Sequence, residues 1–336
     1  MSRSIAVVGG ESLLGRELRD VLATSALDIP IRLIGTDEEE ALVLTEQNDE
    51  LALIGQLEET TIKDAKVVFL AGSPSSSRKT LNMVNGKSPR PVLVDLSFGL
   101  EDDPNAVVRA PLLEPDSKKF SSDSVYVIPH PAALALAMFL ERLQGYHPIR
   151  QSVVTILEPA SERGRRGLDE LQQQTINLLS FKNVQKQVYD QQLSFNLLAR
   201  YGEEAPEPLQ SIEARIDRHL AALLARSARV PMPSLRLIQA PVFHAHSFSI
   251  WIDFEKNPGA QQLAESLASA QIEVRGLSEE PPNNVGVAGQ SGISVGAIEV
   301  DRNHSNAAWF WVAADNLRIA AESAVAVARP FLELAA

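Results

Sequence analysis

A chain of 336 residues, 45% hydrophobic and 22% charged, is long enough for two domains, each with its own core. Its net charge of −12 argues against broad nucleic-acid binding and against adhesion to an anionic membrane. The absence of cysteine removes disulfides, thiolate metal sites and thiol nucleophiles together.

No apolar run approaches the roughly 20 residues of a membrane span. The chain enters a strand at Ser4 to Val8 without a charged and apolar leader, so a cytoplasmic location is the expectation. Ile5 to Val8 is a short continuous apolar run, the pattern of a buried parallel strand. Gly9 to Gly15 makes a turn, and Arg16 to Leu22 continues as a helix. A strand, a glycine turn and a helix are the context in which a dinucleotide pyrophosphate is cradled, here by Gly9, Ser12 and Leu13. The spacing is imperfect, because Ser12 stands where a middle glycine belongs. Glu11 also sets a carboxylate where a phosphate would sit, a repulsion of roughly 1–4 kcal/mol at a protein-like dielectric. A Rossmann-like unit without a cofactor is the alternative.

Ile31 to Gly35 is the second strand, and the acidic run Asp37 to Glu40 follows Thr36. Asp37 lies about 20 residues past the glycine turn, where a carboxylate can take the ribose hydroxyls of NAD. Four consecutive acids oppose a 2′-phosphate, so NAD is favoured over NADP if a dinucleotide binds. A solvated acidic loop explains the run equally well. Lys66 to Ala71 is another apolar strand, ending in Gly72 and Ser73, whose hydroxyl would cap the next helix. Val92 to Asp95 is a further buried strand. Such repeated units predict a doubly wound parallel sheet with ligands at the carboxyl ends of its strands.

The strand Val125 to Ile128 stops at Pro129-His130-Pro131, and Ala132 opens a helical run to Leu140. Each proline holds the residue before it in extended backbone, so Ile128 and His130 stay out of the helix. A helix start offers unsatisfied N–H groups and the positive end of a dipole, where an enzyme places a nucleophile or an anion. Here Ala132 and Ala133 stand there, and neither can do chemistry.

Beyond this junction Gln151 to Leu157 alternates as a strand, and Glu158 to Gly167 leads into a polar helix, Leu168 to Leu179. Residues 181–208 lack periodicity and form a long excursion, of the kind used as an interface or a lid. Ile212 to Leu224 is an amphipathic helix. Ser234 to Gln239 and Phe248 to Phe254 read as antiparallel strands, Ala307 to Ala313 as an apolar strand, and Asp315 to Leu334 as a long Ala-rich helix. Strands and helices without strict alternation suggest an α+β second domain. His244 and His246 would share one strand face, but no third ligand lies nearby, so no metal site is expected. Arg163, Arg165 and Arg166 form either an anion site or a solvated helix start; cations oppose the dipole there, which slightly raises the anion reading while the solvated start stays favoured.

In this order, several stretches resemble the aspartate-semialdehyde dehydrogenase family. Ile5 to Leu22 resembles its opening strand, glycine turn and helix; Phe69 to Ser73 and Leu93 to Ser97 resemble its next sheet-edge loops. Ile128-Pro-His-Pro-Ala-Ala133 resembles its Pro-Asn-Pro-Asn-Cys active-site motif. Leu168 to Leu171, Ser194 to Leu197, Ala240 to Ser247 and Trp311 to Arg318 follow at the family's spacing. The resemblance implies a Rossmann-like doubly wound domain (1–132 with 314–336) and an α+β substrate and dimerisation domain (133–313), assembled as a homodimer.

The family reductively dephosphorylates aspartyl phosphate with NADPH, through a cysteine thiolate. The resemblance puts that nucleophile at Ala133, the orienting glutamine at Glu158, the substrate-binding arginine at Gln239 and the phosphate-binding arginine near Glu101. The acid/base histidine is kept at His246, and Asn316 keeps the place beside the nicotinamide. On the cofactor side it adds Gly72 and Ser73 to Gly9, Ser12, Leu13 and Asp37. Losing a covalent nucleophile removes the pathway rather than slowing it. The expectation is therefore a Usg-type homologue lacking the parent activity, with NAD, NADP or no cofactor. Two alternatives stand beside it: an active NAD(P)-dependent oxidoreductase using His246 and Glu158 as acid and base, and a non-catalytic scaffold. Ser161 and Ser247 are the hydroxyls open to nucleophilic use, although no histidine adjoins Ser161 in sequence.

Overall fold

The computed structural model describes residues 4–25, 27, 29–36, 44–47, 50–86, 89–114, 121, 124–226 and 230–333. The chain folds as two compact units, Met1–Pro129 with Ala320–Ala336, and His130–Ile319. Asp37 and the acidic run it opens lie outside the described residues.

The first unit holds β1 (Ile5–Val8), α1 (Leu13–Thr24), β2 (Ile31–Ile34), a hairpin of β3 (Leu44–Gln47) and β4 (Glu50–Leu53), α2 (Glu59–Ile62), β5 (Val67–Leu70), α3 (Pro74–Val84), β6 (Val92–Asp95), β7 (Ala106–Val108) and β8 (Val125–Val127). Six strands form one sheet in the order β2-β1-β5-β6-β8-β7, every neighbouring pair parallel. From β1 the chain steps outward both ways, so the sheet is doubly wound, as expected. The reversal falls between β1 and β5. β1, β5, β6 and β8 are buried along their whole length, which is why each reads as a continuous apolar run. Ala6, Val8, Val68, Leu70, Leu93 and Val125 make one core with Ile62 and Val84.

The second unit holds α4 (Pro131–Gln144), β9 (Ile149–Glu158), α5 (Gly164–Leu179), α6 (Leu209–Leu224), β10 (Ser234–Gln239), β11 (His246–Phe254), α7 (Ala260–Leu267), β12 (Ile272–Val274), β13 (Ile293–Val300), β14 (Ala307–Ala314) and the start of α8 (Asn316–Glu333). Its sheet is mixed, in the order β10-β9-β11-β14-β13-β12. α4 is buried on all sides from Pro131 to Leu140 and packs against α6, α7 and β9.

β10 and β11 run in opposite directions, as expected, with β9 between them, parallel to β10 and antiparallel to β11. The connection from β10 to β11 crosses the end of β9, where Ala240 N–H donates to Glu158 O, Ala160 N–H to Val242 O and Ser161 N–H to Phe243 O. α5 begins at Gly164, after a 3-10 turn at Ala160–Arg163, rather than at Leu168. His244 and His246 do not share a strand face, because Ala245 has φ +70° and β11 starts only at His246.

The excursion 181–208 carries no regular element beyond a bridge between Leu198 and Gln239. Its course is set by two buried polar residues of α5. Glu170 accepts from the N–H groups of Gln187, Val188 and Tyr189. One turn on, Gln174 accepts from Leu193 and Ser194 N–H and donates to the carbonyls of Gln185 and Gln191.

Candidate functional site

Antiparallel pairing gathers the residues of interest at one edge of the second sheet. The end of β9, the start of β11 and the end of β14 are neighbours, since Ser247 faces Leu157 and His246 faces Ala314. Glu158, His246 and, two residues past β14, Asn316 therefore meet. The turn after β9 adds Ser161, Glu162 and Arg163, and the start of α4 adds His130.

His130 is the N-cap of α4: its Nδ1 accepts from Ala132 N–H at 3.3 Å, and its own N–H donates to His219 Nδ1 at 2.9 Å. The proline bend thus aims an imidazole across the helix start. His130 Nε2 lies 3.6 Å from Glu162 Oε2, and His246 Nε2 lies 3.7 Å from Glu158 Oε2. The two imidazoles stand edge to face with centroids 5.7 Å apart. Neither His246 Nε2 nor Glu158 Oε2 has a hydrogen-bond partner, although both side chains are buried. Burial, then the electrostatic influence of His246 and His219, holds the His130 imidazole well below its ordinary range. Burial pushes the Glu162 carboxyl up, opposed by His246 and Arg163.

Behind this pair runs a charged chain. Arg163 bonds Glu158 Oε1 at 3.3 Å and Glu207 Oε2 at 2.6 Å, and Arg215 bonds Glu207 Oε1 at 2.8 Å. Burial works against the Arg163 charge, but Glu158, Tyr201 and Glu207 more than restore it. Burial likewise opposes the Glu207 carboxylate, and Arg163 and Arg215 hold it below its ordinary range. Arg163 therefore turns inward, while Arg165 and Arg166 lie exposed on the first turn of α5. The three do not form one anion site.

Ala133 is fully buried. Gln239, also fully buried, is committed to its own fold: its Oε1 accepts from Tyr201 OH at 2.6 Å, and its Nε2 donates to Glu158 O and Ala240 O. Asn316 is committed likewise. Its Nδ2 donates to Glu162 Oε1 at 2.9 Å, and its Oδ1 accepts from Ser161 Oγ and Ala245 N–H, each at 3.1 Å. Ser247 Oγ donates to Asn284 Oδ1 at 3.0 Å. Both serine hydroxyls thus give their proton to an amide oxygen rather than to an imidazole. Among the described residues no group of three or more His, Cys, Asp or Glu is placed to hold a metal ion.

In the first unit, Gly9 and Gly72 bring the loops after β1 and β5 together at the reversal of strand order. A Cβ on Gly9, whose φ is +79°, would stand 2.4 Å from Gly72 Cα. Ser12 is the N-cap of α1; its Oγ accepts from Gly15 N–H at 2.8 Å and donates to Ala71 O at 2.7 Å. Leu13 is the first residue of that helix, and Ser73 caps α3 by accepting from Ser76 N–H. Glu11 does not project unpaired over the turn. It bonds Arg16 at 2.6 Å and Arg19 at 2.8 Å, which offsets the expected repulsion of a phosphate.

Sequence reasoning missed Glu162, Tyr201, Glu207 and Arg215 and gave His130 only a backbone role. Glu162 carried a local signal, a second carboxylate one turn after Glu158. Glu207 carried none, because its partner Arg163 lies 44 residues away in sequence.

Residues 140–319 match the family model described as the semialdehyde dehydrogenase dimerisation domain. Over 325 residues the chain is 24% identical to an aspartate-semialdehyde dehydrogenase of Rickettsia bellii, covering 94% of this chain and 93% of that one. It is 26% identical over 322 residues to a USG-1 protein homolog of Pseudomonas aeruginosa, with the same coverage. The structure of a probable aspartate-semialdehyde dehydrogenase from Pseudomonas aeruginosa superposes with a TM-score of 0.85 at 25% identity, over 99% of both chains. An aspartate-semialdehyde dehydrogenase from Candida albicans, solved with NADP, shares the fold at a TM-score of 0.67 and 13% identity, over 98% of this chain and 99% of that one.

Proposed function

The chain belongs to the semialdehyde dehydrogenase family, and from that premise we propose that it keeps the family's scaffold while having lost cysteine-dependent reductive dephosphorylation. The observation that carries this reading is a fully buried alanine, Ala133, at the nucleophile position of a chain with no cysteine. Without a covalent nucleophile there is no thioester to reduce and no thiohemiacetal to oxidise. The commitments of Gln239 and Asn316 support the same reading, because neither amide is free to grip a substrate carboxylate or a nicotinamide. Purified protein is expected to show no oxidation of aspartate semialdehyde with NADP and phosphate, and Ala133→Cys alone is expected to gain none. Turnover above background in the unmodified chain would sink the reading.

A second reading rests on one observation: His246 Nε2 and Glu158 Oε2 are buried together without hydrogen-bond partners. In that reading they are acid and base in a hydride transfer of altered substrate. A dinucleotide would be met by Gly9, Ser12, Leu13, Gly72 and Ser73, with Asp37 as the proposed ribose contact. The pairing of Glu11 with Arg16 and Arg19 is compatible with such a ligand. Calorimetric titration with NAD and NADP separates the readings: NAD is the form expected to bind if either does, and binding of neither leaves the scaffold reading.

The proposed assembly is a cytoplasmic homodimer. Among the described residues no helix is long and apolar enough to cross a membrane. The face of the second sheet away from α4, α6 and α7 carries a row of Val153, Trp251 and Trp309 across neighbouring strands, with Val153 and Trp309 nearly half exposed. That row is the surface proposed to meet the partner copy.

A further inference from the structure

Asn85-Gly86 is the one Asn-Gly step in the sequence, and it falls where α3 ends. Asn85 is the C-cap of that helix, already out of helical backbone at φ −65° and ψ 136°, and its N–H donates to Leu81 O at 2.9 Å. Gly86 follows with φ +74°, and a Cβ built on it would meet nothing within 4 Å. Both residues are exposed. A left-handed glycine just past a helix is an ordinary stop signal. The asparagine before it adds something else, a side-chain amide next to the least hindered backbone nitrogen a chain can offer.

An asparagine amide is open to attack when the next backbone nitrogen can reach its Cγ. The ring closes only after the asparagine Cα–C bond rotates, which carries the following residue with it. At Asn85 that rotation leaves the bond from Asn85 N–H to Leu81 O in place, because the atoms that move lie beyond the cap. Asn82 supplies the contrast within the same helix. It is exposed too, yet it lies inside α3, where the N–H of Met83 belongs to the helical ladder and the same rotation would break a turn. Exposure alone does not set Asn85 apart. Its place past the last turn, with glycine next, does.

We propose that Asn85 is a site of spontaneous deamidation in the folded protein. Gly86 N attacks Asn85 Cγ and bonds to it, the bond from Cγ to Nδ2 breaks, and the Gly86 N–H proton leaves with that nitrogen as ammonia. Water, the only co-reactant, then opens the resulting succinimide at either carbonyl. Opening at Cγ gives aspartate. Opening at the main-chain carbonyl gives isoaspartate, with the backbone routed through the former side chain. Either product sets a new carboxylate at the C-terminal end of α3, the negative end of its dipole, so the modified helix end is less stable.

The test ages the full-length protein in mildly alkaline buffer and follows its tryptic peptide Thr80 to Lys87, which holds both asparagines, by mass spectrometry. A synthetic peptide of the same residues is aged beside it. Conversion of amide to acid is expected at Asn85 and not at Asn82, with isoaspartate among the products, at a rate within about tenfold of that in the free peptide. Gly86→Ala hinders the attacking nitrogen and is expected to slow conversion about tenfold, in the protein and in the peptide alike. Conversion at Asn85 more than about tenfold slower than in the free peptide would show that the fold protects it. Equal conversion at Asn82, aspartate without isoaspartate, or a rate unchanged by Gly86→Ala would remove the helix end, the succinimide or the glycine from the account. Each of these results overturns the proposal.

Discussion

Gly15 sits so close to Gly9 that a Cβ added to it would stand 2.1 Å from the Gly9 carbonyl oxygen. The approach of α1 to the end of β1 therefore needs glycine there whether or not a dinucleotide ever binds. Gly15→Ala is expected to destabilise the protein by about 3 kcal/mol, the upper part of the range for overpacking, because the obstructing atom is backbone. A urea unfolding midpoint indistinguishable from that of the parent would show that the loop yields more easily than its packing suggests. The same scale holds the source of the ambiguity in the turn. Glycine spacing alone does not separate a ligand's need for close approach from the fold's own need, and Gly9 against Gly72 meets the second. Ala245, buried with φ +70° beside His246, is the opposite case. A left-handed alanine costs about 1–3 kcal/mol, and nothing in its side chain announces it.

At the scale of elements, α5 shows why a polar helix can be misjudged. Glu170 and Gln174 lie one turn apart and look like a solvated face, yet both are buried and bond the backbone of the excursion that follows. Glu170→Ala would strand the N–H groups of Gln187 and Val188, and is expected to cost about 3 kcal/mol. It is also expected to speed tryptic cleavage at Lys182 and Lys186, both exposed on that excursion. Cleavage at the parent rate would mean that other contacts hold the loop. β13 escaped notice for a different reason. Gly296 and the positive φ of Ala297 interrupt its alternation, and its register against β14 shifts there.

At the scale of the molecule, the second sheet has helices on one face and a tryptophan row on the other. Trp251 and Trp309 both donate their indole N–H to Asp301 Oδ2, at 2.8 and 2.9 Å, which fixes two large rings in place at the surface. Ordered, partly exposed tryptophans are the side chains that carry association energy. Trp309→Asp is expected to convert the proposed dimer to monomer in sedimentation equilibrium while leaving far-ultraviolet circular dichroism unchanged. A dimer of unaltered affinity would move the interface elsewhere.

The sequence by itself determined the parallel sheet of the first unit, because strands buried on both faces must be continuously apolar and read the same in any context. It also determined that no cysteine stands at the start of α4, since the absence of cysteine is a matter of composition. Only the tertiary structure decided what became of the site. Strand order placed β9 between β10 and β11, and so set Glu158 against His246. Hydrogen bonds across tens of residues decided that Arg163, Gln239 and Asn316 serve their neighbours inside the unit. Charge pairing of this kind depends on distances in space, and spacing along the chain carries no record of it.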